Sequence, residues 1–259
     1  MIWNVIMTVV LLISFVMIPF NIGLKEPEPH DKKELTREII IDVIMLLDIF
    51  FSFITDQYSE PGAPVTNQII AQSYLVGFFF PDFLSCVPSL VRSIMYKKID
   101  NGAEIFYLLK LLRFGHLPRI KIYTELILDF LIDAGPKHIL RNFKYIIKLF
   151  GNFILTIHCA ACGWLWVGDF SDEWATGWVI SERQTFEPNT SKTYQIWSIY
   201  CSAFYFILTT ATTVGYGDYT GATSWERLYL CLIEFIGICS YSMIYNGVTN
   251  QLIFIPTIN

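Results

Sequence analysis

The residues of this chain that are most suited to chemistry lie in a short segment, residues 209–221, with the sequence TTATTVGYGDYTG. Its centre, called the filter below, comprises Thr213, Val214, Gly215, Tyr216 and Gly217. A strand whose carbonyl oxygens all point to one side needs left-handed backbone at alternate residues, which glycine adopts most readily. Such a ladder of oxygens can replace the hydration shell of a cation, and the hydroxyl of Thr213 would complete it. The filter is therefore predicted to bind dehydrated cations, and four chains are expected around one axis because one strand cannot enclose an ion.

The filter needs neighbours that hold its width and its outer end. The apolar segment 194–208 precedes it and has 15 residues, too few to cross a bilayer, so it is predicted to be a re-entrant helix. The negative C-terminal end of this helix would face the cation path. Aromatic side chains are expected to pack behind the filter and an acidic one to anchor its outer end. These support residues are Trp197, Tyr200, Phe204, Tyr205 and Asp218.

The composition is that of a protein embedded in a membrane. Of 259 residues, 54% are hydrophobic and only 16% are charged, and the mean hydropathy is +0.47. Soluble domains carry about 25% charged residues. The net charge of −5 carries little information about binding partners. The sequence has no basic patch with interleaved aromatic residues, so nucleic acid is not expected as a partner. The six cysteines lie in apolar stretches and are expected to be free thiols.

Six apolar segments have the length of a membrane-spanning helix, about 20 residues. The first is expected to be retained rather than cleaved, because no basic region or small-residue cleavage site accompanies it. The sequence thus predicts an all-α membrane protein with six transmembrane helices and one re-entrant helix. The predicted spans are 2–23, 38–55, 72–91, 105–131, 143–167 and 225–255.

The fourth span carries basic residues at every third position, in the sequence YLLKLLRFGHLPRIKIY. They are Lys110, Arg113, His116 and Arg119. In an α-helix this spacing makes a winding stripe, whereas in a 3₁₀ helix it aligns on one face. A charge that crosses 100 mV is worth about 2.3 kcal/mol, so charges within the membrane predict a voltage sensor. His116 stands where a third permanent cation would be expected, which predicts shallow voltage dependence.

Acidic residues in the neighbouring spans are the predicted countercharges. Asp42 and Asp48 belong to the second span and Asp82 to the third. Because Asp42 and Asp48 are about 120° apart around an α-helix, they need not bind the same cation.

The last span is expected to hold the gate. Gly237 lies twenty residues after Gly217, and it is interpreted as a close-packing site. The alternative, a gating hinge, is what the resemblance given below implies. Tyr241, Tyr245 and Val248 are expected to form a ring that closes the pore by dewetting.

Two smaller features leave alternatives open. Asn189 begins the sequon Asn-Thr-Ser, which lies between the fifth predicted span and the re-entrant helix. Glycosylation of Asn189 would place this connecting segment outside the cell. His158, Cys159 and Cys162 could suggest a metal site, but they lack the four-ligand spacing of structural zinc, and packing is the preferred interpretation.

The motif TTATTVGYGD resembles the signature of potassium channels. The segments LLDIFFSF, YLVGFFFPDFLSCVP, LLKLLRFGHLPR and IHCAACGWLW resemble the superfamily of ether-à-go-go, hyperpolarisation-activated, cyclic-nucleotide-gated and plant inward-rectifying channels. The likeness covers nearly the whole chain, although YNGVTNQL has Asn246 and Gly247 in swapped order. It implies a voltage-sensor domain over 1–132, a linker over 133–142 and a pore domain over 143–259. These channels continue into a C-terminal cyclic-nucleotide-binding domain, so a regulatory domain outside this chain is expected.

The resemblance implies a voltage-modulated, potassium-selective channel subunit that acts as a homotetramer in the plasma membrane. The permeant K⁺ would be its only ligand, with no cofactor and no other metal. Thr213 favours potassium selectivity, since mixed-cation channels of the superfamily usually have Cys there. The alternatives are a weakly selective Na⁺/K⁺ channel, a silent subunit of mixed tetramers, and a membrane module of a larger signalling protein such as a cyclase. No phosphate loop, nucleophile elbow or paired carboxylates indicate an enzyme.

Overall fold

The computed structural model describes residues 2–24, 32–55, 66–94, 108–116, 137–170 and 177–253. The regular elements of these ranges are all helices, and the ranges contain no strand of a sheet. The helices in chain order are α1 (Ile2–Gly23), α2 (Lys32–Ser52), α3 (Asn67–Gly77), α4 (Phe79–Ile94), a 3₁₀ helix (Leu111–His116), α5 (Lys137–Phe170), α6 (Trp178–Gln184), α7 (Lys192–Ala211) and α8 (Ser224–Ile253).

The chain divides into two compact units. The first comprises Met1–Ile22 and Glu26–Ile127, and the second comprises Gly23–Lys25 and Leu128–Asn259. The domain boundary predicted at residue 132 lies outside the described residues and stays a prediction.

Three of the described helices are long and apolar enough to cross a membrane, namely the parts of α1, α5 and α8 over Trp3–Gly23, Lys144–Asp169 and Ser224–Asn250. The bent pair of α3 and α4 adds a fourth if it counts as one span. The second predicted span, in α2, does not reach this standard, and most of the fourth lies outside the described residues. The count of six spans therefore stays a prediction.

The predicted third span, 72–91, falls on a bent pair of helices. Two helices, α3 and α4, meet there at an angle of 64°. Pro81 in the first turn of α4 has no N–H to donate to the carbonyl of Gly77, so the helical hydrogen-bond ladder is interrupted at this point. The amide of Phe78 instead ends α3 on the carbonyl oxygen of Tyr74, 3.1 Å away.

In the first unit, α4 packs against α2, α3 and the 3₁₀ helix. The apolar side of α1 supplies Met7, Leu11 and Phe15, which recur every fourth residue and are fully buried. The ring of Phe15 lies 4.5 Å from that of Phe114 in the 3₁₀ helix. This packing holds the basic residues of the 3₁₀ helix in the interior of the unit.

In the second unit, α5, α7 and α8 pack against one another. The buried ring of Trp164 in α5 stacks on Trp178 at 5.5 Å and lies 5.2 Å from Phe206 and 6.3 Å from Tyr229. Four helices therefore meet at one aromatic cluster behind the filter. The short helix α6 lies between the fifth predicted span and the predicted re-entrant helix, and it packs against α5 and α7.

Candidate filter and charge-sensing helix

The filter begins where α7 ends, and its backbone alternates in handedness. Thr213, Gly215 and Gly217 have φ angles of 62°, 52° and 78°, all in the left-handed region. Among the described residues, Thr213 is alone in adopting a positive φ without being glycine. A non-glycine residue in this region costs about 1–3 kcal/mol, so the surrounding structure must hold it there. This alternation is the backbone that a one-sided ladder of carbonyl oxygens requires.

The threonines before the filter explain how a buried helix can stop there. The carbonyl oxygen of Thr209 accepts hydrogen bonds from the amides of Val214 at 2.9 Å and Gly215 at 3.2 Å. The hydroxyls of Thr210 and Thr212 donate to carbonyl oxygens one turn earlier, each at 2.8 Å. The last turn of α7 thus supplies partners for the first filter amides, and its hydroxyl groups are satisfied within the chain.

Tyr205 supports the filter at two points. Its hydroxyl donates to Oδ2 of Asp218 at 2.8 Å, and its ring stacks on Tyr216 at 6.3 Å with 7° between the planes. Trp197 contacts the ring of Tyr200 at 5.9 Å, and 55% of its surface is exposed in the single chain. Phe204 also lies against Tyr200, 6.1 Å between ring centroids. The aromatic support predicted from sequence is therefore split between Tyr205 at the filter and a separate group on α7.

The segment after the filter is held by α6, a role that sequence analysis missed. The hydroxyl of Tyr219 donates to Oε1 of Glu182 at 3.1 Å and also lies 3.1 Å from Oγ of Ser202. Burial raises the pKa of the Tyr219 phenol, and the Glu182 carboxylate contributes to the rise, so the phenol keeps its proton at neutral pH. Asp169 forms an ion pair with Arg183 at 3.3 Å. Glu182 of α6 and Asp169 of α5 thus make contacts within the second unit.

Glu226 is a second functional candidate that sequence analysis missed. Its side chain is fully buried, and it accepts hydrogen bonds from three backbone amides. The signal was present in the sequence: Thr223 and Glu226 form the T-x-x-E pattern of a capping box before an apolar run.

The glycines of α8 are close-packing sites. A Cβ atom on Gly237 would lie 2.8 Å from Cα of Ala211, and one on Gly247 would lie 2.7 Å from Leu149 of α5. The swapped order of Asn246 and Gly247 therefore places the glycine where α5 leaves no room. Gly237 lies against the end of the helix that carries the filter, which favours the packing interpretation over the hinge.

The predicted gate residues lie on α8 beyond Gly237. Tyr241 and Tyr245 are exposed in the single chain, and Val248 is half-buried. The ring they are expected to form stays a prediction.

The basic residues of the predicted sensor lie along one side of a 3₁₀ helix. Lys110 precedes this helix directly, and Arg113 and His116 belong to it. All three are buried, with no more than 5% of their surface exposed. The structure therefore has the second of the two arrangements considered, in which a three-residue spacing aligns on one face. Arg119 lies outside the described residues.

Asp42 contacts two basic residues of this row, Lys110 and Arg113. The Arg113 guanidinium donates to its Oδ1, and Nζ of Lys110 lies 3.8 Å from its Oδ2. Lys110 also pairs with Glu38 at 3.3 Å, a residue that sequence analysis did not name. Glu38 lies four residues before Asp42, hence on the same face of α2.

Asp82 contacts the third basic residue of the row, His116. Its Oδ1 lies 2.6 Å from Nε2 of His116, and its Oδ2 accepts from the hydroxyl of Tyr74 at 2.8 Å. Asp48 differs, because it accepts from the indole N–H of Trp3 at 2.8 Å. Of the predicted countercharges, Asp42 and Asp82 lie against basic residues that the structure describes.

The remaining sequence candidates have ordinary surroundings. Nδ1 of His158 lies 2.8 Å from the hydroxyl of Tyr200, and the part of the chain that the structure describes holds no cluster of three metal-ligating residues. Asn189 is exposed in a turn, where a glycan could be attached.

Comparison with known proteins assigns the chain to a family. The model of the ion transport protein family matches residues 1–252. The chain belongs to the ion transport protein family. It is 26% identical over 268 residues to the voltage-gated delayed rectifier potassium channel KCNH5 of Homo sapiens, covering 95% of this chain and 26% of that one. It is equally identical to KCNH1 of Rattus norvegicus over 267 residues and to the potassium voltage-gated channel protein eag of Drosophila melanogaster over 270.

Membership of the ion transport protein family confirms several predictions. The chain is an integral membrane protein, and the matched segment is that of an ion-transport protein and not of an enzyme. The predicted resemblance to the ether-à-go-go group is also confirmed. The chain spans about a quarter of the length of these relatives. It covers 26% of KCNH5, 26% of KCNH1 and 22% of the eag protein.

Proposed function

We propose that this ion transport protein is a subunit of a voltage-modulated channel that conducts K⁺ passively, with four copies arranged around one axis. The observation that carries the proposal is the left-handed backbone at Thr213, Gly215 and Gly217. Four such strands would surround dehydrated K⁺ with carbonyl oxygens, and the Thr213 hydroxyls would complete the innermost site. The negative end of α7 would favour a cation at the same place.

Two features support potassium as the favoured ion. The filter has threonine directly before Val214 and the Gly-Tyr-Gly sequence, and the similar proteins of human, rat and fly are by name potassium channels. Tyr205 holds the filter from behind through both Tyr216 and Asp218. A supported filter of fixed width suits an ion that loses its water completely.

The exposed surface of the second unit supports assembly of several copies. Only 11% of the spanning window of α8 is buried in the single chain, against 44% for α1. Val214 and Tyr216 of the filter are 52% and 70% exposed. Non-helical backbone at membrane depth must be covered by protein or line a water-filled path, because lipid satisfies no hydrogen bonds. Three further copies of the same unit would provide both the cover and the path.

The first unit would supply the voltage dependence. Lys110, Arg113 and His116 are held by acids of α2 and α4, so a shift of the 3₁₀ helix would exchange these pairs as it moves charge through the field. Each unit charge that crosses 100 mV would supply about 2.3 kcal/mol toward opening or closing the gate formed by α8.

The test is the reversal potential of the purified full chain in planar bilayers, with K⁺ on one side and Na⁺ on the other. We expect a reversal displaced far toward the potassium equilibrium potential. A reversal near zero with clear single-channel steps would establish a weakly selective cation channel instead. No current at all would favour a silent subunit or a membrane module of a larger protein.

A further inference from the structure

Glu226 places a carboxylate between the starts of α6 and α8, next to the segment that follows the filter. Although it is fully buried, it faces no basic side chain among its hydrogen-bond partners. Its Oε2 accepts from the amides of Ala222 at 2.7 Å and Thr223 at 3.0 Å, at the start of α8. Its Oε1 accepts from the amide of Trp178, the first residue of α6, at 3.1 Å.

Only part of this arrangement is an ordinary helix cap. The amide of Glu226 donates to Oγ1 of Thr223 at 3.3 Å, which completes a capping box at the start of α8. The contact with Trp178 crosses 48 residues and has no part in that box. A carboxylate that accepts three amides has both oxygens engaged, so the position of α6 is fixed relative to α8 by one charged group.

From Trp178 a chain of contacts leads to the filter. The indole of Trp178 meets the ring of Tyr219 edge to face, with centroids 6.1 Å apart and 88° between the planes. Tyr219 is two residues beyond Gly217, and its amide donates to Asp218 at 3.1 Å. The Tyr219 hydroxyl returns to α6 through Glu182. The outer end of the filter is thus held between the two ends of α6.

We propose that Glu226 is a positioning residue for ion selectivity: it holds α6 against Tyr219 and so keeps the outer filter at the width of dehydrated K⁺. This inference rests on the proposed function. Glu226 touches no ion and acts through Trp178 and Tyr219.

Glu226→Gln is the sharpest variant, because glutamine has the same shape but only one acceptor oxygen. Its NH₂ group must face either the amide of Trp178 or those of Ala222 and Thr223, which places donors against donors. Glu187→Gln is the matched control, since Glu187 is an exposed acid between α6 and α7 and its replacement also takes one negative charge from each subunit.

The experiment compares wild type, Glu226→Gln and Glu187→Gln as purified full chains. Three quantities are measured. The first is the ratio of Na⁺ to K⁺ permeability in bilayers, and the second is the oligomeric state. The third is the K⁺ concentration that gives half of the maximal increase in the midpoint temperature of thermal unfolding. Losing hydrogen bonds to a charged group predicts about a tenfold rise of the permeability ratio and of the half-maximal K⁺ concentration in Glu226→Gln. High K⁺ should restore its stability, because bound ions hold the filter from inside. Glu187→Gln should match wild type.

The outcomes separate this inference from the proposed function. An unselective wild type would refute the proposed function, and this inference with it. A selective wild type with an equally selective Glu226→Gln assembly would overturn the positioning role alone. If Glu226→Gln does not assemble, the Glu226→Asp variant tests the positioning role instead. Aspartate keeps the negative charge, but its side chain is shorter by one methylene group. An intermediate permeability ratio for Glu226→Asp would support the proposal, and a wild-type ratio would overturn it.

Discussion

The two compact units place ionised groups inside a membrane protein in different ways. In the first unit, Asp42 and Asp82 are paired with basic side chains of the 3₁₀ helix. Around the filter in the second unit, Glu226, Glu182 and Asp218 accept from amides and hydroxyls. The second unit also contains an ion pair, between Asp169 and the half-exposed Arg183.

This difference has a physical consequence. A cation that leaves one carboxylate can be received by the next along the row, so paired side chains permit motion in steps. Amides that belong to helix ends cannot move independently of their helices, so a carboxylate that accepts from them fixes the backbone. The first unit is therefore suited to displacement by voltage, and the second to constant geometry. Three substitutions would sharpen or break this comparison.

The largest effect is expected from Gly215→Ala in the filter. An added Cβ has open space there, but the φ of 52° would cost about 1–2 kcal/mol for alanine in every subunit. We expect loss of K⁺-selective current and of stabilisation by K⁺, measured by bilayer recording and thermal unfolding in K⁺ and Na⁺. Gly151→Ala in α5 is the control, because its site is also open and its φ is not in the left-handed region. Unchanged selectivity in Gly215→Ala would mean that the filter geometry is not fixed.

An intermediate effect is expected from Arg113→Gln in the sensor. This change removes the short ion pair of the buried Asp42 and leaves it the longer contact to Lys110 and the hydrogen bond from the hydroxyl of Ser89. Breaking a buried ion pair costs about 3–5 kcal/mol. Thermal unfolding of the full chain should show the loss.

A double-mutant cycle tests whether the pair acts as a unit. Asp42→Asn together with Arg113→Gln should recover part of the lost stability, because no uncompensated charge then remains. Strictly additive losses would show that Asp42 and Arg113 do not stabilise each other.

The smallest effect is expected from His116→Arg, which keeps the buried position and makes the third cation permanent. Since one charge crossing the full field contributes about 2.3 kcal/mol per 100 mV, the conductance–voltage curve should become steeper by at most one charge per subunit. His116→Gln serves as the neutral comparison and should give a shallower curve than His116→Arg. Equal slopes for the three proteins would show that His116 does not move through the field.

Much of the local structure was predictable from sequence. The bounds of α1 agree with the first predicted span, and the need for left-handed backbone at alternate filter residues followed from Gly215 and Gly217. Both depend on short-range properties: an unbroken apolar run for a helix and the conformational freedom of glycine for the filter. The functional roles of these residues stay predictions.

Other features depended on contacts between distant parts of the chain. The three-residue spacing of Lys110, Arg113 and His116 fitted both an α-helix and a 3₁₀ helix, and packing against α4 accompanies the second form. Asp48 resembled Asp42 in sequence, yet its described partner is Trp3. Helix α6 was hidden in a polar stretch because its stabilising partners, Glu226 and Trp164, lie far away along the chain.

The sequence by itself determined that this ion transport protein is helical and embedded in a membrane, and which residues could form a cation filter, because these follow from apolar run length and backbone freedom. Only the tertiary structure decided which acids meet which cations and how Glu226 joins α6 to α8. A carboxylate attracts any donor within reach, and packing of helices distant in sequence selects the one it meets.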